Sequence, residues 1–283
     1  MIYIIVVEYS INFLGEYLNN ISKYLTKQNI NNEIIIFCEN LKEKYKNLQS
    51  TILIYVSIIP LKISTKEYYL NVGQLIYTKN LIWCKQMDLI LNGKFSILDF
   101  SPENINLIKE RNINRKILYI PYLYNQTDPI FTFNSDIKIY DVCIVGSMTE
   151  RRNNVYNILK SAKIKVKYIH NSFGIKRDME IAKSKILLNI HSYDNSNIIE
   201  SIRCYPAIFK KIIVLSETSQ YDKKIKINNF IIYTEYNNIL TMVENILNSY
   251  DKIYKNIYDD NLLNDATVQL NTLMDESIID LMN

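Results

Sequence analysis

Two arginines stand directly behind an apolar run that ends in glycine, in the segment Val142-Cys-Ile-Val-Gly146-Ser147-Met-Thr-Glu150-Arg151-Arg152. If the run is a strand and a helix follows, the free N–H groups and dipole of that helix attract an anion, and guanidinium groups beside them add charge-assisted hydrogen bonds. The chemistry that fits is binding of a phosphate or diphosphate. Ser147 and Glu150 have capping-box spacing. Ordinary capping with two solvated arginines accounts for the same residues, but cations at a helix N-terminus are unfavourable unless an anion compensates them.

A second polar cluster follows the apolar run Ile186-Leu-Leu-Asn-Ile190, beginning at His191 and passing through Tyr193 and Asn197 to Glu200 and Arg203. Ligands of open parallel sheets gather at the carboxyl ends of strands, where this loop falls. There Glu200 would accept hydrogen bonds from ribose hydroxyls, while the amides of Asn197, Ile198 and Ile199 and the Arg203 side chain face phosphates. The alternative is an ion pair within a helix, since Glu200 and Arg203 are three residues apart. His170-Asn-Ser-Phe173-Gly174 follows another strand and either edges a nucleobase pocket, with Phe173 stacking, or places Phe173 in the core. Ser216-Glu217 ends a further strand, where the carboxylate either meets sugar hydroxyls or opens the next loop.

Other chemistries lack their residues. His170 and His191 are the two histidines, without a matching cysteine or carboxylate motif for a metal. Asp-x-Asp, a P-loop and Gly-x-Ser-x-Gly are all missing. A net charge of +4 without a basic block is too small for a nucleic-acid footprint. The cysteines Cys38, Cys84, Cys143 and Cys204 contain no C-x-x-C pair, so reduced thiols in a cytoplasm-like compartment are expected. Apolar Met1–Val7 lacks a basic n-region and meets Glu8 too early for a signal peptide. No apolar run approaches the roughly 18 residues of a membrane span.

The elements that must position these residues alternate between short Ile/Val-rich runs and segments of helical period, the pattern of parallel sheets flanked by helices. Strands are expected at Ile2–Val7, Glu33–Phe37, Ile52–Val56, Phe95–Asp99 and Ile117–Ile120. A helix over Ile11–Lys27 would bury Phe13, Leu14, Tyr17, Leu18, Ile21, Tyr24 and Leu25. Glu67–Asn92 reads as mainly helical. Ser101, Pro102 and Glu103 mark a helix start. Aperiodic Tyr122–Asp136 reads as a linker. Beyond it, strands at Ile139–Val145, Ile164–Ile169, Ile186–Ile190 and Ile212–Leu215 end about 20 to 25 residues apart, about one βα unit each, and Ile231–Tyr233 adds a fifth. Five glycines amid abundant Asn, Ile, Lys and Tyr point to an A/T-rich coding sequence. In such a chain positions where relatives use Gly, Ala or Arg drift to Asn, Ser or Lys, hiding standard glycine fingerprints.

Taken together, Gly146–Arg152, Phe173-Gly-Ile-Lys-Arg177-Asp178, Ala182-Lys-Ser-Lys-Ile-Leu-Leu-Asn-Ile-His191-Ser-Tyr193 and Glu200-Ser-Ile-Arg203 resemble the C-terminal half of GT-B glycosyltransferases of large DNA viruses and bacteria. Upstream, Ile97-Leu-Asp-Phe-Ser101-Pro-Glu-Asn104 and Ile117-Leu-Tyr-Ile-Pro121 are similar to the same group, so the resemblance spans about Gln74 to Glu217. It implies an α/β protein of two Rossmann-like domains whose parallel sheets face each other across a cleft. These would be an acceptor domain over residues 1–125, a linker over 126–137, a donor domain over 138–265, and a C-terminal helix, 266–283, packing back on the first domain.

The resemblance also implies a nucleotide-diphospho-sugar donor, a glycan or other hydroxyl acceptor, and no cofactor or metal. The ribose carboxylate maps onto Glu200, and the diphosphate cations onto Arg151, Arg152 or Arg203. Ser192 stands where many such enzymes carry another Glu, so sugar recognition differs. Glu8, behind the first strand, is the candidate general base for an acceptor hydroxyl, with Asp99 the runner-up. Both also read as loop or cap carboxylates. The competing function is a non-catalytic nucleotide-sugar or glycan-binding module. A nucleic-acid-modifying glucosyltransferase is disfavoured by the weak charge.

Overall fold

Runs of β-branched residues pair in parallel in both halves of the chain. The computed structural model describes residues 1–38, 51–72, 88–110, 114–123, 137–194, 198–219, 223–258 and 260–283, with 59, 63, 89 and 94 excepted. The expected linker at 126–137 lies almost wholly outside the described residues, as do Cys84 and Asn197. The chain divides into two compact units, Met1–Leu123 with Asn271–Asn283, and Tyr124–Leu270.

The first unit runs β1 (Ile2–Val6), α1 (Glu8–Lys27), β2 (Asn32–Ile36), β3 (Ile52–Val56), β4 (Lys66–Asn71), β5 (Ser96–Asp99), α2 (Pro102–Glu110) and β6 (Ile117–Tyr119). The strands form one parallel sheet in the order β2-β1-β3-β4-β5-β6. β1 and β3 are buried along most of their length, which is why they read as unbroken apolar runs. α1 buries Leu14, Tyr17, Leu18, Ile21 and Leu25. Phe13, expected in that stripe, is 40% exposed and lies beside the Tyr9 ring instead.

The helical reading of Glu67–Asn92 is corrected over its first part. Residues Lys66–Asn71 are β4, paired with β3 and β5. Burial of Tyr68, Tyr69 and Leu70 between two neighbouring strands overrides the local pattern. Residues 73–87 of the same stretch lie outside the described residues.

The second unit runs β7 (Tyr140–Val145), α3 (Glu150–Ser161), β8 (Val166–Ile169), α4 (Gly174–Ala182), β9 (Ser184–Asn189), α5 (Ser201–Phe209), β10 (Ile213–Glu217), β11 (Ile231–Thr234), α6 (Ile239–Asn248) and α7 (Tyr250–Ile257). Its sheet is parallel, in the order β11-β10-β9-β7-β8. The chain passes from β7 outward to β8 and returns to β9 on the other side of β7. The carboxyl ends of β7 and β9 therefore flank a topological switch point.

The last helix, α8 (Asp260–Met282), has Ala266 and Leu270 buried in its first part. Its residues from Asn271 onward belong to the first unit. There Met274, Ile278 and Leu281 are buried, the Tyr24 hydroxyl donates to Asp275 Oδ1 at 2.6 Å, and Lys66 Nζ donates to the Met282 carbonyl at 2.8 Å.

Three helices end alike. Asn29, Lys163 and Lys211 have φ of 59°, 61° and 54°, and each donates its N–H to the carbonyl three residues back. The following Ile30, Ile164 and Ile212 bond back to Leu25, Leu159 and Ala207. This is the Schellman arrangement, with Asn or Lys where the left-handed residue is ordinarily glycine.

Candidate functional site

Gly146 ends β7 with φ at +121°, a conformation open to glycine and strained for any other residue. A Cβ built there would lie 3.0 Å from Arg152 Nη1 and 3.2 Å from Arg203 Nη2. The glycine therefore does two things: it turns the chain toward α3, and it leaves room for two guanidinium groups against the backbone. The Tyr168 hydroxyl, from β8, donates to the Gly146 carbonyl at 2.6 Å.

The expected cap at Ser147 is corrected. Thr149 is the N-cap, its hydroxyl accepting from the Arg152 N–H at 3.4 Å. The turn at Gly146 starts the helix later than the spacing implied, and the Ser147 carbonyl instead accepts from Arg152 Nη1 at 2.9 Å. Arg151 and Arg152 thus lie in the first turn of α3, where the dipole disfavours them.

Arg152 is 2% exposed and crosses the switch point, its Nε donating to the Ile190 carbonyl behind β9 at 3.0 Å. Its Nη2 lies 3.8 Å from Glu200 Oε1 and is buried without a hydrogen-bond acceptor. Arg203 Nη2 pairs with the other Glu200 oxygen at 2.5 Å, and Nη1 donates to Asn189 Oδ1 at 2.8 Å. Glu200 is the N-cap residue of α5, so one carboxylate stands between two arginines. Burial lowers the Arg152 pKa and the nearby Arg203 charge lowers it further, with Glu200 opposing both. An additional anion here would offset that destabilisation of the charged form.

The Arg151 guanidinium pairs with Asp194 and with Glu217 at the end of β10, and lies over the Tyr236 ring at 4.1 Å from its centroid. Tyr236 returns a hydrogen bond from its hydroxyl to the Arg151 carbonyl at 2.9 Å. The second Glu217 oxygen accepts from the His191 N–H at 3.1 Å. Glu217 is therefore turned toward protein groups on both oxygens.

His191 is 1% exposed, with Nε2 beside the Thr218 carbonyl at 3.3 Å and Ser219 Oγ at 3.1 Å. Burial pushes its pKa down, against the pull of Glu217 and Glu200, so the ring is neutral at pH 7. Phe173, the N-cap of α4, is 44% exposed, Tyr193 is 46% exposed, and exposed His170 stacks on the Tyr168 ring. Ile198 and Ile199 are buried.

One face of the second unit thus gathers Gly146, Ser147, Arg151, Arg152, His191, Glu200, Arg203 and Glu217 through direct contacts. Asn189, Asp194 and Tyr236 complete the network; Asp194 lies in the polar loop expected at the strand end, though without a role of its own, and Asn189 and Tyr236 were not expected from the sequence. A signal for Asn189 existed, a lone amide inside the apolar run of β9. Its Nδ2 donates to Ser216 Oγ at 3.0 Å. The Arg177-Asp178 motif forms an ion pair of its own. Arg177 Nε donates to Asp178 Oδ1 at 2.7 Å, and buried Lys210 at the end of α5 lies 4.0 Å from the same carboxylate.

In the first unit Glu8 is the first residue of α1, exposed, with its charge complementing the helix dipole. Asp99 is fully buried and accepts from Asn71 Nδ2 at 2.6 Å, the Ser101 N–H at 2.9 Å and Asn104 Nδ2 at 3.1 Å. Among the described residues no group of three or more His, Cys, Asp or Glu is placed to hold a metal ion, and no helix is long and apolar enough to cross a membrane.

No protein-family model matches the chain. The uncharacterized protein R358 of Acanthamoeba polyphaga mimivirus is 36% identical over 201 residues, covering 69% of this chain and 67% of that protein. The uncharacterized protein L140 of the same virus is 35% identical over 213 residues, covering 70% and 69%. Among solved structures, Anabaena HepE in complex with UDP superimposes with a TM-score of 0.52 at 10% identity over 99% of both chains. Sucrose-phosphate synthase from Thermosynechococcus elongatus gives 0.57 at 8% identity over 100% of this chain and 94% of that one. At such low identity these structures establish the fold, two parallel-sheet α/β units of the GT-B glycosyltransferase type. The chain belongs to the mimivirus protein family that includes R358 and L140, and its fold is that of the GT-B glycosyltransferases.

Proposed function

We propose that this chain is a glycosyltransferase that moves a hexosyl or deoxyhexosyl group from a nucleotide-diphospho-sugar to a hydroxyl of a glycan or similar acceptor. The observation that carries the reading is the pair of guanidiniums, Arg152 and Arg203, held against Gly146 at the switch point with a buried N–H of Arg152 unanswered. Glu200 between them is the ribose ligand, and the second unit is the donor domain. Solved proteins of this fold bind UDP and UDP-glucose, as in HepE, which supports a nucleotide-sugar donor here.

In the reaction the leaving group is the nucleoside diphosphate, whose charge grows as the glycosidic bond breaks. Arg152, Arg203 and the α3 N-terminus stabilise that charge in the role a metal ion plays elsewhere. Glu8 removes the acceptor proton if the reaction inverts, since its carboxylate is exposed whereas that of Asp99 is enclosed by three donors. The free thiols of Cys38, Cys143 and Cys204 support a cytoplasmic site of action, the host's if the chain is viral.

A thermal-shift screen of UDP, GDP and dTDP, free and sugar-linked, tests the reading, because a ligand that binds only the native state raises Tm with concentration. One nucleotide class raises the midpoint, and Arg203→Ala abolishes the rise. No shift from any of them refutes the donor site. Binding with neither hydrolysis nor transfer identifies the non-catalytic module instead.

A further inference from the structure

Three guanidiniums at this site, those of Arg151, Arg152 and Arg203, face three carboxylates, those of Asp194, Glu200 and Glu217. The resting site is thus balanced internally, and a diphosphate entering it adds negative charge to three carboxylates. One of them has to give way. Their surroundings differ enough to say which.

Glu217 has a side chain 12% exposed and is held on one oxygen by Arg151 and on the other by the His191 N–H. Glu200 is 22% exposed, caps α5 and is shared by two arginines. Asp194 has a side chain 87% exposed and pairs with Arg151. An ion pair with one partner in water is weak and readily exchanged. The Arg151 side need not move, because its plane rests on the Tyr236 ring and its other edge is fixed by Glu217. Its Nε is buried with no acceptor, so the two carboxylates do not satisfy the guanidinium. Phosphate oxygens offer it the same charge with stronger, more numerous hydrogen bonds.

We infer that Asp194 is the resting counter-ion of Arg151, that donor phosphate oxygens replace it there, and that Asp194 thereby sets the affinity of the site for nucleoside diphosphates. The inference rests on the donor-site reading above and adds to it a residue that tunes binding without belonging to the bound complex. In that complex Arg151 is the third cation of the diphosphate site, and the Asp194 side chain is released to solvent.

The experiment is calorimetric titration of inorganic pyrophosphate and of UDP into the wild-type chain, D194N, R151A and the double variant, at low salt. D194N binds both probes about two- to fivefold more tightly, the range set by removing one exposed competing pair. The gain vanishes in the R151A background. Because the Asp194 side chain is solvated, D194N leaves the unfolding midpoint unchanged, so a binding change is not a folding change. Equal or weaker binding by D194N overturns the inference, and so does an equal gain with R151A, which would reflect net charge alone. If the wild-type chain binds neither probe, the donor site itself is refuted, and the inference with it.

Discussion

Asp99 makes the stability of this protein depend on pH in a direction opposite to that of most carboxylates. Burial pushes its carboxyl from 3.8 up to about 7, with Asn71, Ser101 and Asn104 opposing the rise. In that interval the native chain keeps a proton that the unfolded chain has lost. Stability is therefore greatest below about pH 4 and falls as pH rises toward 7, above which this contribution is constant. The full loss is about 4 kcal/mol, of which about 3 kcal/mol falls between pH 5 and pH 8.

Asp99→Asn removes the titration while keeping the shape. The amide oxygen still accepts from Ser101 and Asn104, and Asn71 turns its own amide to present oxygen to the new N–H. Urea unfolding of both chains, followed by circular dichroism from pH 5 to 8, isolates the effect, since other titrating groups cancel in the difference. The D99N chain gains about 3 kcal/mol on the wild type across that range. A difference that does not change with pH refutes the reasoning. Retained sugar transfer in the same variant excludes Asp99 as the base.

Other expectations follow from the site. Gly146→Ala strains the backbone by about 1 to 3 kcal/mol and pushes on Arg152 and Arg203, so both Tm and nucleotide affinity fall. An alanine chain that binds its nucleotide as well as wild type would contradict that packing. Glu8→Gln, at an exposed helix start, leaves Tm within about 2 °C while transfer to the acceptor falls at least about 100-fold. Undiminished transfer removes Glu8 as the base. EDTA leaves turnover unchanged if the guanidiniums alone carry the leaving-group charge, and complete loss of turnover with recovery on adding Mg²⁺ or Mn²⁺ contradicts it.

The α/β architecture is legible in the sequence because strands covered on both faces, such as Ile2–Val6 and Ile52–Val56, are apolar at every position. β4 is not, since its Tyr68 and Tyr69 suit a strand or a helix face and only their neighbours decide. At the site, the rule that ligands gather at strand ends is enough to group Gly146, Arg152, His191, Glu200 and Arg203 from their positions along the chain. The same rule places the loop of Asp194 but not its pairing, and it misses Tyr236, because both roles depend on where the Arg151 side chain turns, which no local pattern encodes. The placing of the cap at Ser147 fails for a related reason, since the turn at Gly146 consumes the residues that spacing assigned to the helix.

Asn29, Lys163 and Lys211 hold left-handed helix ends that glycine would hold without steric conflict. For an L-residue that conformation costs about 1 to 2 kcal/mol, partly offset in glycine by its greater freedom when unfolded. Changing the three to glycine should therefore add up to about 1 kcal/mol each. None of the three enters the contacts of Arg152, Glu200 or Arg203, so the gains should be additive with changes there. The glycine triple variant is thus a host for mutational dissection, a background firm enough that loss of sugar transfer in a site variant reports chemistry and not unfolding.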